Sequence, residues 1–190
     1  MKASLVCPLT QCTSLKSNDI RHLPFGVRLT GGPKLRKAGL TGIGVRVAII
    51  DSGVDSKHPG FNGCIKKQSW FRTGPLNDHG THIAGTVHMM APDAEIYDYR
   101  VYGSQGTIDV DEAITQAIKQ ACEDDCSVIN LSLSFHGHDI DSRIRHQINV
   151  AHNMGVIVVV SSSKKESTDP LINSTWYVLF DFFLFLSIIF

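Results

Sequence analysis

Two residues in this sequence are placed for acid–base chemistry. Asp51 closes the apolar run "VRVAII" and is followed at once by Ser52 and Gly53, so a carboxylate stands at the end of a rigid element where the chain turns. His79 opens "HGTHIAGTV" within "LNDHGTHIAGT", residues 76–86, where Gly80, Ala84 and Gly85 keep one side of a short helix small enough for close packing. The positive end of the dipole at a helix start is expected to hold the imidazole pKa down, favouring the neutral ring a general base needs. A carboxylate that orients a ring, and a ring that deprotonates a hydroxyl, are two parts of a nucleophilic triad. The same residues admit plainer readings. Asp51 could cap the next turn, and His82, one helical turn after His79, could be a packed core histidine. A third reading makes His79 and His82, with Asp51 or Asp78, the ligands of a divalent metal in a metallohydrolase that activates water without a serine.

Positioning such groups requires elements that bring distant residues to one edge. "VRVAIID", residues 45–51, reads as a buried strand, and "EIYDYRVY", residues 95–102, as a second and less purely apolar one. "SVINLSLS", residues 127–134, and "VIVVV", residues 156–160, read as two more. Between them, "DVDEAITQAIKQACED", residues 109–124, carries Val110, Ile114, Ala117, Ile118 and Ala121 at helical spacing behind acidic residues. "IDSRIRHQINVAHNMG", residues 140–155, is a further helix with Gly155 as its stop. Strands alternating with helices of this length imply right-handed crossovers and an α/β fold, a parallel sheet covered on both faces. Reactive groups then belong just beyond the carboxyl ends of the strands, where Asp51 stands.

Composition narrows the function classes. The 190 residues suit one domain or a piece of a larger one, and 18 basic against 18 acidic side chains leave no net charge to attract nucleic acid or an anionic membrane. Cys7, Cys12, Cys64, Cys122 and Cys126 are scattered and odd in number, which suggests free thiols rather than a disulfide framework or a zinc site. The first nineteen residues lack the apolar core of a secretory signal. The apolar stretch "WYVLFDFFLFLSIIF", residues 176–190, contains Asp181 and is shorter than the ~20 residues that span a bilayer, so a membrane anchor is not expected. Neither terminus assigns a compartment. No Gly-rich phosphate loop follows "VRVAIID", which argues against a nucleotide-binding relative of the same fold class.

The motifs together resemble one family. "LPFG", "GLTGIGVRVAIIDSGVDSKHP", "DHGTHIAGTV", "APDAEIYDYRV", "SVINLSLS" and "NMGVIVVVSSS" follow the order found in the front part of subtilisin-like serine proteases. The resemblance implies a subtilisin-like, doubly wound parallel sheet and hydrolysis of peptide bonds through an acyl-enzyme, without a cofactor. It implies that Asp51 is the orienting acid and His79 the general base, in the chain order Asp, His, Ser. It further implies that Ser132, Leu133 and Ser134 pair with an extended polypeptide substrate as an added strand.

The pattern also departs from the family. The nucleophile should open a helix in a Gly-Thr-Ser motif, and no such motif occurs in these residues. Where the family carries Gly-Asn at the oxyanion hole, Ser163 and Lys164 stand instead; loss of one such donor costs ~100- to 1000-fold in rate. Gly60 after "HP" and the short "HMMAP" remove the expected carboxylate and loop of the family's calcium site, so no metal is expected there. The implied organisation is an N-terminal extension over 1–21, too short for an inhibitory prodomain, a partial peptidase domain over 22–163, and a tail over 164–190 outside the family pattern, non-native or disordered and apolar. The expectation is a chain truncated before its serine, with the C-terminal part of the fold missing and hydrolysis impaired. Its alternative role is an inactive fragment that binds extended peptide.

Overall fold

In the computed structural model of the chain, which describes residues 25–61, 63–133, 140–161 and 178–180, six strands form one parallel sheet. The elements in chain order are α1 (Phe25–Leu29), α2 (Gly32–Lys37), β1 (Arg46–Asp51), β2 (Ile65–Trp70), α3 (Asp78–Met90), β3 (Glu95–Arg100), α4 (Val110–Glu123), β4 (Val128–Leu131), α5 (Ser142–Asn153), β5 (Ile157–Ser161) and β6 (Val178–Phe180). The spatial order is β2-β3-β1-β4-β5-β6. From β1 the chain runs to β2 at the edge, returns to β3 between the two, and then crosses to the other side of β1 at β4. Such a reversal leaves a crevice beyond the carboxyl ends of the strands where it occurs.

Side-chain alternation explains why both sheet faces are covered. Val47 and Ile49 of β1 and Ile96 of β3 pack with Ile83, Ala84 and Val87 of α3. Ala48 and Ile50, one residue out of phase, pack on the opposite face with Ile114, Ile118 and Ala121 of α4 and Ile144 and Ile148 of α5. Because both faces are buried, the central strands read as nearly continuous apolar runs. Ile118 is fully buried, and Ile118→Ala is expected to lower unfolding free energy by about 2–4 kcal/mol in urea denaturation, since the cavity would be only partly refilled.

Helices α4 and α5 start on identifiable caps. Asp109 accepts from the Glu112 backbone N–H at 2.7 Å ahead of α4, and Asp141 accepts from that of Arg143 at 2.8 Å ahead of α5. Gly155, at φ 83°, ends α5 in the left-handed region, with the Val156 N–H returning to the Ala151 carbonyl at 3.0 Å. Arg143 binds both Asp141, at 2.9 Å, and Glu112, at 3.0 Å, linking the starts of α4 and α5.

The elements differ from the sequence expectation in three ways. The strands expected over 95–102 and 127–134 are shorter, Glu95–Arg100 and Val128–Leu131, because the chain leaves the sheet where it lines the crevice. The helix that carries His79 has thirteen residues rather than being short, and it begins at Asp78. Four elements were not anticipated: α1, α2, the edge strand β2 and, inside 164–190, β6, which pairs in parallel with β5. Cys64, Cys122 and Cys126 are free thiols, and burial pushes the first and last up to about 11. Cys7 and Cys12 lie outside the described residues. Among the described residues no helix is long and apolar enough to cross a membrane.

Candidate active site

The ends of β1, β3 and β4 and the start of α3 meet around a cleft of about 470 Å³. Asp51 is the last residue of β1 and is 1 % exposed; its carboxylate oxygens stand 2.9 and 3.0 Å from His79 Nδ1. The Ser52 backbone N–H donates to Asp51 Oδ1 at 2.6 Å, which fixes the carboxylate's orientation. His79 is held by its own helix start, where Asn77 caps α3 and accepts from the His79 backbone N–H at 2.9 Å.

Ser52 joins the two supports. Its hydroxyl donates to the Asn77 carbonyl at 3.1 Å and accepts from the Gly80 N–H at 3.0 Å, so the turn after β1 and the first turn of α3 share one side chain. Gly80 allows the approach: a Cβ there would stand 2.5 Å from the Gly53 carbonyl oxygen. Gly53 itself lies at φ 95°, a conformation that disfavours side chains.

The electrostatics correct one expectation. His79 has its pKa raised, chiefly by the hydrogen bond to Asp51, against burial that lowers it and with the Asp51 charge adding to the rise. The bonded carboxylate outweighs the helix dipole that was expected to hold the ring's pKa down. His82 moves the other way, lowered by burial and then by the His79 charge. Since the folded value of His79 exceeds the ordinary one, the pair's contribution to stability is full below the ordinary imidazole range. It is lost as pH rises through the raised value. With the ring about half exposed the effect is small. The stability difference between wild type and His79→Gln is expected to stay constant in acid and shrink across that window, as urea midpoints at several pH values would register.

Ser132 and Leu133 line the cleft beyond β4, while Ser134 and Lys164 lie outside the described residues. Ser132 Oγ accepts from the Asn130 amide at 3.0 Å, and the Leu133 carbonyl accepts from Ser161 Oγ at 2.6 Å. Among the described residues no group of three or more His, Cys, Asp or Glu side chains could hold a metal ion, so the His79, His82 and Asp51 grouping does not assemble as a metal centre.

Sequence reasoning missed several polar residues here. Asp98, Arg100 and Asn130 are almost fully buried near the carboxyl ends of their strands. Arg100 donates to the carbonyls of Gly74, at 2.9 Å, and Pro75, at 2.8 Å, and so pins the loop before α3. The available signal was Asp98 and Arg100 two residues apart on one face of β3, and a single Asn130 within the apolar run of β4.

Three comparisons bear on this arrangement. The model of the subtilase family matches residues 42–175. Subtilisin Savinase of Lederbergia lenta is 34% identical over 156 residues, covering 75% of this chain and 56% of that protein. Subtilisin E of Bacillus subtilis (strain 168) is 31% identical over 163 residues, covering 78% of this chain and 42% of that protein. Among solved structures, a lanthipeptide protease superposes with a TM-score of 0.56 at 26% identity, over 72% of this chain and 44% of that one. The chain thus spans about half the length of these relatives. The family match takes in both the strand that ends at Asp51 and the helix that carries His79, and this chain therefore belongs to the subtilase family.

Proposed function

We propose that Asp51 and His79 are the orienting acid and the general base of a serine-type endopeptidase acting on extended polypeptides. The observation that carries this reading is the contact of His79 Nδ1 with both Asp51 oxygens, at 2.9 and 3.0 Å, at the mouth of the cleft. With Nδ1 committed to the carboxylate, Nε2 is the nitrogen that takes a proton from an attacking hydroxyl and returns it to the leaving amine. The imidazolium formed in between is stabilised by the same carboxylate. Ser132 and Leu133, at the β4 side of the cleft, offer backbone groups to a substrate lying as an added strand. Ser134 and the altered oxyanion position at Lys164 are assigned to the proposed site on the family resemblance alone.

The hydroxyl itself belongs to a Gly-Thr-Ser motif, which the 190 residues do not contain. We place it in a longer form of the protein, and assign to the 190-residue chain the binding of extended peptide without hydrolysis. Full-length transcript sequencing across residues 160–170, followed by assay of both forms on unfolded casein, tests the reading. A serine-bearing form that cleaves casein and labels with a fluorophosphonate, beside a silent 190-residue chain, is the expected result. A serine-bearing form that neither cleaves nor labels would overturn the protease reading, and cleavage by the short chain would overturn the assignment of the nucleophile.

A further inference from the structure

We propose that Asp98 is a positioning residue for the Asp51–His79 pair, acting through a clamp on the backbone of Val54. The proposal rests on the catalytic reading of that pair. Asp98 lies on β3, in register with Ile49 of β1 on one side and Gln68 of β2 on the other, and is completely buried. Both backbone groups of Val54, three residues after Asp51, are taken by this neighbourhood. The Val54 N–H donates to Asp98 Oδ2 at 3.1 Å, and the Val54 carbonyl accepts from Gln68 Nε2 at 2.8 Å. Gln68 Nε2 also donates to Asp98 Oδ2 at 2.9 Å, and Trp70 Nε1 adds a third donor at 3.3 Å.

A buried carboxyl is costly where an apolar side chain would pack. What this one secures is the exit of the turn that aims Asp51. The entry of that turn is held by the Ser52 N–H on Asp51 Oδ1, and Gly53 bends it at φ 95°. Without the clamp, Val54 and then Gly53 and Ser52 gain freedom, and the carboxylate loses its fixed direction toward His79. All three donors converge on Oδ2, while Oδ1 has no partner among the described residues. The clamp therefore uses one accepting oxygen rather than the full charge. Burial pushes this carboxyl's pKa up, against the lowering by its hydrogen bonds from Gln68, Val54 and Trp70. An asparagine can present the same oxygen; an alanine cannot.

The test is the pH titration of the His79 imidazole by NMR in the 190-residue chain, comparing wild type with Asp51→Asn, Asp98→Ala, Asp98→Asn and Gln68→Ala. His79 is faced by Asp51 from β1 and by His82 on its own helix, so Asp51→Asn sets the full fall in midpoint. Asp98→Ala is expected to lower the midpoint by about half of that fall, Gln68→Ala by a smaller part, and Asp98→Asn hardly at all. A wild-type midpoint in Asp98→Ala overturns the proposal, and so does an equal fall in Asp98→Asn, because the carboxyl would then act by charge. Should Asp98→Ala not fold, Gln68→Ala decides, since Gln68 is exposed on an edge strand and an unchanged midpoint there removes the clamp. If Asp51→Asn leaves the midpoint in place, the catalytic pair falls together with its clamp, a pattern distinct from failure of the clamp alone.

Discussion

Replacing His79 by alanine is expected to lower kcat/KM on a peptide substrate by roughly 10⁴- to 10⁶-fold in a form of the protein that carries the serine, the size that loss of one triad member has in serine proteases. The same change should leave stability almost untouched. The ring is 52% exposed, so its removal opens no cavity in the core. The cap on α3 uses the backbone N–H of residue 79, not its side chain, and survives the substitution. What disappears is the nitrogen that moves the proton, together with the N–H that donates to Asp51. Activity and stability should therefore separate: kcat/KM collapses while the urea midpoint holds. Retention of turnover in the variant would sink the base assignment. A fall in both together would mean that His79 supports the fold instead.

The parts of this site that could be read from sequence are those whose signal is local. "VRVAIID" is apolar up to an abrupt Asp-Ser-Gly, and a strand buried on both faces with a carboxylate at its tip follows directly. The α4 helix was legible because Ile114, Ala117, Ile118 and Ala121 repeat at its period. β2 was not, because it is an edge strand with an exposed alternate face, and between Ile65 and Trp70 it reads Lys-Lys-Gln-Ser. Lys67 on its inner face is tolerated through an ion pair with Asp124 at 2.6 Å. α1 and α2, with five and six residues, are too short to show a period. Asp98 and Arg100 were passed over for a different reason. Their meaning depends on Val54, Gln68 and Gly74, brought near by the sheet order, and no local pattern encodes that order. The raised pKa of His79 was missed likewise: the helix start is visible in sequence, whereas a 2.9 Å contact with a strand end 28 residues earlier is a property of the fold.

Gly80→Ala is expected to destabilise the chain by about 2–4 kcal/mol, a large cost for one methyl group on a helix. In an isolated helix the change would help, since alanine is the better helix former. Here the new Cβ would meet the Gly53 carbonyl oxygen at 2.5 Å and the Gly53 carbon and nitrogen at 3.1 Å. These are backbone atoms, so no rotamer relieves the contact. Either α3 lifts from the sheet or the turn after β1 is displaced. Ile83, Ala84 and Val87 bury α3 against β1, and Gly53 is hemmed in on its other side by Arg100 and Leu76. Lifting the helix also stretches the 3.0 Å bond from the Gly80 N–H to Ser52 Oγ, leaving a buried donor short of its partner. Because residue 80 follows His79, the displacement passes to the imidazole, and the contact with Asp51 weakens. The expected signature is a lower urea midpoint together with a fall in the His79 titration midpoint. Gly26→Ala serves as the control: nothing lies within 4 Å of a Cβ there, so neutrality or a gain of up to ~1 kcal/mol is expected. If Gly80→Ala unfolded like this control, the close approach of α3 to the strand-end turn would not be what holds the acid and base together.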